Sequence, residues 1–500
     1  METRPRQRED SDVIAESEIS LAPGRVSSAR RRLAVAGAIA ALLASLIALF
    51  VVRWHVVAPY AGDEPHYLVI TNSLILDGDV DVKNDYVDAR YHQYYPFPLD
   101  PHVNSRVFTS DSPHWYSEHG VGLAALLVPA VLVDGADGAR AAMVIVAAAL
   151  LLLTFLWARR FTGGSWPAAA AVAALGVSPC FLGLEGRIFP DLTMAALLVG
   201  CLLILEKPDR QPWHLLLLST LVGVSPWFHY KNVLAFGTVL AIAVVQVARS
   251  ETSASRRRSL LLLAAPAVIS AIGYELAIRA WYDSWLPTRM AVPTVHLFAL
   301  NPLRGIAAVS FDSARGLFTN GPALMLIFAG VPIWLARSRG PFLRLMLIIA
   351  PTILVQATFS DWSGGYTSPA RYALDFVPAL IPAIALFLRE APLALKAFAS
   401  ATLALSWALA AAFVWLRPPW VLTGYRNPLF AGIDRHLGLS LDRGMPAFDY
   451  WGKLSHGSWE LLAWAAAAGT LAACGAVVSR GRAGRRAQAS EQFAKEPAAA

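Results

Sequence analysis

Apolar residues in this chain come in long blocks rather than scattered along periodic faces, and short polar connectors separate the blocks. Crossing the hydrocarbon core of a bilayer takes roughly 20 consecutive apolar residues. Blocks of about that length fall at 33–54, 138–158, 166–184, 190–206, 212–228, 231–248, 259–281, 318–336, 342–360, 372–389, 397–416 and 459–479. The pattern predicts an all-α polytopic membrane protein with about 12 transmembrane helices. Residues 120–133 (GVGLAALLVPAVLV) are apolar but reach only about two-thirds of a span, so they are expected to lie in the interface as a separate helix. With that segment kept out of the count, the basic clusters all fall on one side. They are Arg30–Arg32, Arg159–Arg160, Lys207 with Arg210, Arg256–Arg258, Arg337 with Arg339, Arg389 with Lys396, and Arg480 with Arg482. The positive-inside rule then predicts both termini in the cytoplasm and sizeable outer loops at 55–137, 282–317 and 417–458.

Composition agrees with the blocks. The chain is 56% hydrophobic and 15% charged, where a soluble domain carries about a quarter of its residues as Asp, Glu, Lys and Arg. The net charge of +7 sits in the connectors, with no basic, aromatic-interleaved face, so nucleic acid is not an expected partner. Cys180, Cys201 and Cys474 lie in or near apolar blocks without metal-ligand spacing and read as small buried hydrophobes. The first block is too long for a signal-peptide core and lacks a small-residue cleavage site, so it reads as an uncleaved helix. Residues 1–29 and 481–500 are expected to be disordered cytoplasmic tails around a membrane domain at 30–480.

Charges near membrane depth are costly and usually functional. Under this topology they gather on the outer side. Gly62-Asp63-Glu64-Pro65-His66-Tyr67 follows the first span; its adjacent carboxylates offer a base or a metal ligand, or simply a helix cap with proline in the first turn. Glu185-Gly186-Arg187-Ile188-Phe189-Pro190-Asp191 is a tight turn whose last acid either caps the next helix or completes a site with Asp63. His229-Tyr230-Lys231 puts a cation where the positive-inside pattern predicts none, for a lipid phosphate or for snorkelling to the interface. Asp361-Trp362-Ser363-Gly364-Gly365-Tyr366 leads to Arg371-Tyr372, where glycines permit close backbone approach, aromatics stack on sugar or anchor at headgroups, and Arg371 grips phosphate. Arg315 and the pair Glu118-His119 are weaker candidates. No phosphate-binding Gly-x-x-x-x-Gly-Lys loop, dinucleotide fingerprint or His-Glu-x-x-His motif is present. No inner loop is long enough for a nucleotide-sugar domain, so a sugar donor would have to be lipid-borne.

On these residues the chain resembles the GT-C superfamily of membrane glycosyltransferases, in particular the family 39-like protein O-mannosyltransferases and the lipid A aminoarabinose transferases. Asp63, Glu64 and Tyr67 match an Asp-Glu-x-x-Tyr motif after the first helix. Residues 120–133 match interfacial helices before the second span, and Arg187 with Asp191 match a second acid after an arginine. The likeness covers the layout of residues 30–390. Two departures stand out: His66 replaces an arginine of the lipid A enzymes, and Glu118-His119 replaces their Glu-Lys pair. The resemblance implies inverting transfer from a polyprenyl-phosphate sugar to an envelope acceptor (lipid, polysaccharide or protein) on the outer face of the plasma (inner) membrane. In that reading Asp63 is the base, with Glu64 and Asp191 completing the catalytic acids. Asp191 holds the acceptor or shares a divalent cation with Asp63. His66, Tyr67, Glu118, His119, Arg187, His229, Tyr230, Lys231, Arg315, Trp362, Arg371 and Tyr372 bind substrate. The alternative is a transporter or flippase without transferase activity, for which an internal repeat and midplane charges would be expected; neither is evident in the sequence.

Overall fold

The computed structural model describes residues 60–103, 112–250, 253–285, 301–359, 362–365, 367–417, 427–449 and 453–495. The first predicted span, 33–54, lies outside them, as do Asp361 and Tyr366. The described chain is helical almost throughout; its one two-stranded sheet is an antiparallel pair, Ala447–Phe448 with Leu454–His456. Six of its helices are long and apolar enough to cross a membrane, so the predicted polytopic class holds while a count of twelve is not established.

The segment that follows the first predicted span opens with helix α1 (Glu64–Leu76). Gly62 turns into it at φ +58°, Asp63 stands at the N-cap, and Pro65 sits in the first turn, where a missing N–H costs nothing. Asp63 makes no side-chain cap bond, so its carboxylate is left for another partner. Helix α2 (Val121–Thr162) is broken at Asp134 and Gly135, where Gly135 takes φ +54° and ψ −141°. That conformation is open to glycine and closed to side chains with a Cβ. The break parts the short apolar segment ending near residue 133 from the long limb that contains the predicted span 138–158.

Two predicted spans are interrupted. The block 166–184 becomes α3 (Ser165–Gly176) and α4 (Pro179–Leu184), because Ser178 caps the second piece through Phe181 N and Pro179 starts it. The block 318–336 begins as a four-residue turn and a 3-10 turn before α10 (Leu326–Arg337). Helices stand close to the other predicted blocks: α5 (Asp191–Leu205), α6 (Pro212–Phe228), α7 (Val233–Ser250), α8 (Ser253–Tyr282), α11 (Arg339–Ala357), α12 (Val377–Glu390) and α13 (Leu393–Leu416). Helix α9 (Pro302–Phe311) precedes α10, and α14 (Pro428–Leu437) precedes α15 (Ser458–Lys495). The last helix continues past Gly481, where the sequence suggested a disordered tail. Its Ala-, Arg- and Gln-rich composition favours helix there.

Helix α12 is buried along most of its length and forms the centre of the bundle. Trp157 of α2 is fully buried against it and donates its indole N–H to Ala379 O at 3.0 Å. On the other side Gly330 of α10 lies so near α12 that a Cβ there would sit 1.9 Å from Ala383 O. Small residues allow backbones to approach this closely, and such packing replaces the hydrophobic drive that lipid cannot supply between helices.

Candidate active site

Four helices begin at one place. Asp63 and Glu64 start α1, Asp191 is the first residue of α5, and Lys231 with Asn232 lead into α7. Arg371 to Asp375 form a 3-10 turn before α12. Helix N-termini carry partial positive charge and unsatisfied N–H groups, which suits anions.

Arg371 joins two of the predicted acids. Its Nε donates to Asp191 Oδ2 and its Nη2 to Asp63 Oδ2, each at 2.9 Å. Neither acid serves as a helix cap; both face the guanidinium. Lys231 donates to the remaining oxygen of Asp191 and lies 3.1 Å from Asp375 Oδ2. Asn232 Nδ2 also donates to Asp375 Oδ2, at 2.8 Å, and Gln356 backs Asn232 at 3.2 Å. The chain of contacts runs Asp63, Arg371, Asp191, Lys231, Asp375. Tyr372 covers both cations, 4.7 Å below Lys231 Nζ and 5.6 Å from the Arg371 guanidinium, and Phe189 covers Arg371 at 4.2 Å. Of the three carboxylates, Asp63 alone keeps an open edge, with 26% of its side chain exposed against 0% for Asp191 and Asp375. Burial by itself would raise the Asp63 carboxyl, but Arg371, with His119 and His102 behind it, holds it below the ordinary carboxylate range.

The Gly364-Gly365 turn sets Arg371. Both glycines take positive φ, and Gly364 O accepts from Arg371 Nη1 at 3.3 Å. Ala370, just before the arginine, is left-handed at φ +56°, a strained conformation for a residue with a Cβ. Arg315 secures this turn from behind: its carbonyl accepts from Ala370 N at 2.9 Å and its guanidinium donates to Thr367 O.

Other predicted residues fall elsewhere. Glu64 is fully buried and closed by Arg187 Nη1 (2.6 Å), Ile188 N (3.1 Å) and Ala61 N (3.1 Å), so it ties the start of α1 to the turn before α5. Arg187, expected among the substrate-binding residues, thus meets Glu64. Trp362 packs edge-on against Phe448 and donates to Asp449 O at 3.2 Å, bracing the small sheet. His229 and Tyr230 line a small aromatic pocket with Glu118, His119, Trp227 and Tyr274. Burial pushes the His229 imidazole down to about 3, with nearby Lys231 adding to the effect. Tyr67 is buried with its ring 5.0 Å from that of His119, and His66 Nδ1 lies 2.7 Å from Tyr86 Oη. Both Asp191 oxygens contact cations already in the chain, Arg371 and Lys231. The structure groups Asp63 instead with His102 and His119.

Asp375 and His102 were not singled out from the sequence. Asp375 carried a signal, because it stands inside an apolar block, where an ionisable residue is functional by default. His102 lies amid polar loop residues and carried none.

Beside the charged cluster opens an apolar cavity of about 280 Å³, walled by α9, α10, α11 and α12. Tyr372 and Gln356 line it and also touch the Lys231–Asn232 end of the cluster.

No family model matches the chain, and no curated protein does. Solved structures show a distant likeness. ArnT from Cupriavidus metallidurans in the apo state is 15% identical with a TM-score of 0.48, over 90% of this chain and 77% of that one. The same protein bound to undecaprenyl phosphate gives 15% and 0.48, over 93% and 80%. The archaeal oligosaccharyltransferase AglB from Archaeoglobus fulgidus, in complex with an inhibitory peptide and a dolichol-phosphate, gives 15% and 0.42, over 91% and 56%. Likeness at this level says nothing of activity.

Proposed function

We propose that the protein is a membrane glycosyltransferase that takes a sugar from a polyprenyl-phosphate donor and passes it to an envelope acceptor on the extracytoplasmic face. The observation that carries the reading is the junction of an apolar cavity with a buried pair of cations. A lipid-linked phosphate needs an apolar slot for its chain and positive charge for its head. Here Tyr372 and Gln356 are shared by the slot and the cluster, and Lys231 and Arg371 stand on a single carboxylate, Asp191. The GT-C resemblance of the Asp63-Glu64-x-x-Tyr67 motif supports the same reading.

In this mechanism the acceptor hydroxyl gives its proton to Asp63 as its oxygen bonds to the anomeric carbon from the face opposite the phosphate. The bond from that carbon to the phosphate oxygen breaks, and the lipid phosphate leaves with the electron pair and the configuration inverts. Lys231 and Arg371 stabilise the charge that develops on the leaving phosphate. A carboxylate held so low stays ionised but is a weak base, so it accepts the proton late, as bond formation acidifies the hydroxyl. Glu64 acts as a positioning residue through Arg187 and Ile188.

The test is transfer by the purified protein from a panel of radiolabelled polyprenyl-phosphate sugars, with and without divalent cation. Transfer from one donor class, lost in Asp63→Asn at unchanged expression, is the expected result. Transport of the lipid without transfer would replace this reading with the flippase one.

A further inference from the structure

A second constellation shares Asp63 with the charged cluster. One ligand atom each from Asp63, His102 and His119 lies within 4.8 Å of the others. His102 Nδ1 and His119 Nε2 stand 3.2 Å apart. Bonds of roughly 2.0–2.1 Å from zinc to imidazole nitrogen, spread tetrahedrally, put neighbouring ligand atoms roughly 3.3 Å apart. We propose that Asp63, His102 and His119 bind a transition-metal cation of the zinc type.

Two facing imidazole nitrogens can also share one proton. The surroundings favour a cation. The group holds a carboxylate beside the two imidazoles, and Glu118 Oε1 lies 3.6 Å from the same His102 nitrogen as a further acid at its edge. A proton shared between two rings needs no third donor, whereas here Asp63 brings a carboxylate oxygen within 4.8 Å of both nitrogens. Asp63 gives Oδ2 to Arg371, and its other oxygen remains for a metal.

The donors are also held in place, as metal ligands generally are by the groups behind them. Glu118 N donates to His102 O at 3.0 Å, and Val103 bridges Ser117, so the two loop segments that carry the histidines are laced together. His66 stacks on His102 with ring centroids 3.7 Å apart and is itself fixed by Tyr86. Ser117 Oγ accepts from His119 N at 3.2 Å.

Two imidazoles and one carboxylate suit zinc or cobalt, whereas magnesium and calcium select all-oxygen sets. Three protein ligands leave a fourth position for water or a substrate oxygen. The proposal stands whether or not the transfer reading holds, because it concerns binding alone.

The experiment uses the full-length protein in detergent, stripped with chelator and titrated with Co2+ in the absence of any sugar donor. One equivalent should develop the visible bands of four-coordinate cobalt, and Zn2+ but not Mg2+ should abolish them. His102→Ala and His119→Ala should lose the bands, while His92→Ala, an exposed loop histidine outside the group, keeps them. X-ray absorption on the zinc-loaded wild type should show two imidazole neighbours, a readout that needs no variant to fold. Absence of the bands from the wild type, or their persistence in both variants, overturns the site. So does equal displacement by Mg2+, or a zinc shell without imidazole.

Discussion

At the scale of single residues, Lys231 is the group most exposed to loss. It is shared by two fully buried carboxylates, and without it Asp191 leans on Arg371 alone while Asp375 keeps only Asn232. Removing one partner of a buried ion pair typically costs about 3–5 kcal/mol, because the other charge stays behind. Lys231→Met is expected to lower the unfolding midpoint in detergent by that measure. Adding Asp375→Asn should restore part of it, and strictly additive losses would show the two uncoupled. Asp63→Asn tests a different property. It should cost less stability than Lys231→Met, because Arg371 keeps Asp191, and should cut kcat by at least about 10²-fold, the low end for a general base. Asp63, Asp191, Lys231 and Arg371 were legible in the sequence because each broke a rule of membrane composition. Their partnership was not, since nothing in a linear pattern says which cation meets which acid.

Among elements, the segment between α1 and α2 and the Arg371 turn each carry an expectation. Asp85 is fully buried, and burial raises its carboxyl to about 6, against Arg90, which lowers it from 3.8 Å away; Asp77 and Asp79 push it further up. An acid whose folded value lies above its unfolded value binds its proton more readily in the folded state. The segment should therefore grow more stable as pH falls from about 7 towards 4, the ordinary range of an unfolded aspartate. Limited proteolysis across that range should show rising protection, and Asp85→Asn should be protected at neutral pH and lose the dependence. At the other element, Gly364→Ala forces a Cβ into a φ of +79° with Arg371 Cβ 3.2 Å away. It should lower kcat more than it raises the donor KM, as expected if it moves the guanidinium from its place on Asp63. The elements themselves were well legible where apolar blocks ran unbroken. The breaks at Ser178-Pro179 and before Leu326 were not. Hydropathy does not see a cap or a 3-10 turn inside an apolar run.

Over the whole molecule, the bundle is assembled around α12. Its N-terminal end meets the charged cluster, and at its other end Glu390 meets Arg337 at 2.7 Å. Helix α5 is built alike, with Asp191 at its start and Glu206 at its finish held by Arg344 at 2.6 Å. Fifteen residues of α5 separate those ends by about 22 Å. Gly330→Val drives a branched side chain into the α12 backbone and should cost about 3 kcal/mol, seen as a lower midpoint with loss of transfer. A variant as stable as wild type would mean that α10 can move away from α12 freely. The all-helical polytopic class was legible in composition and block length alone; how the helices sit against one another depends on glycine contacts that carry no signature of their own.

The Arg371 bridge also has a consequence for biosynthesis. Its two carboxylates lie 308 and 180 residues earlier in the chain, so a ribosome delivers both acids to the membrane long before it makes the guanidinium that joins them. Until then Asp191 has Lys231, and Asp63 has the histidines at 102 and 119 but no guanidinium. The two acids are thus joined only after most of the chain has been made, so a chain ending before residue 371 keeps both acids without the link between them.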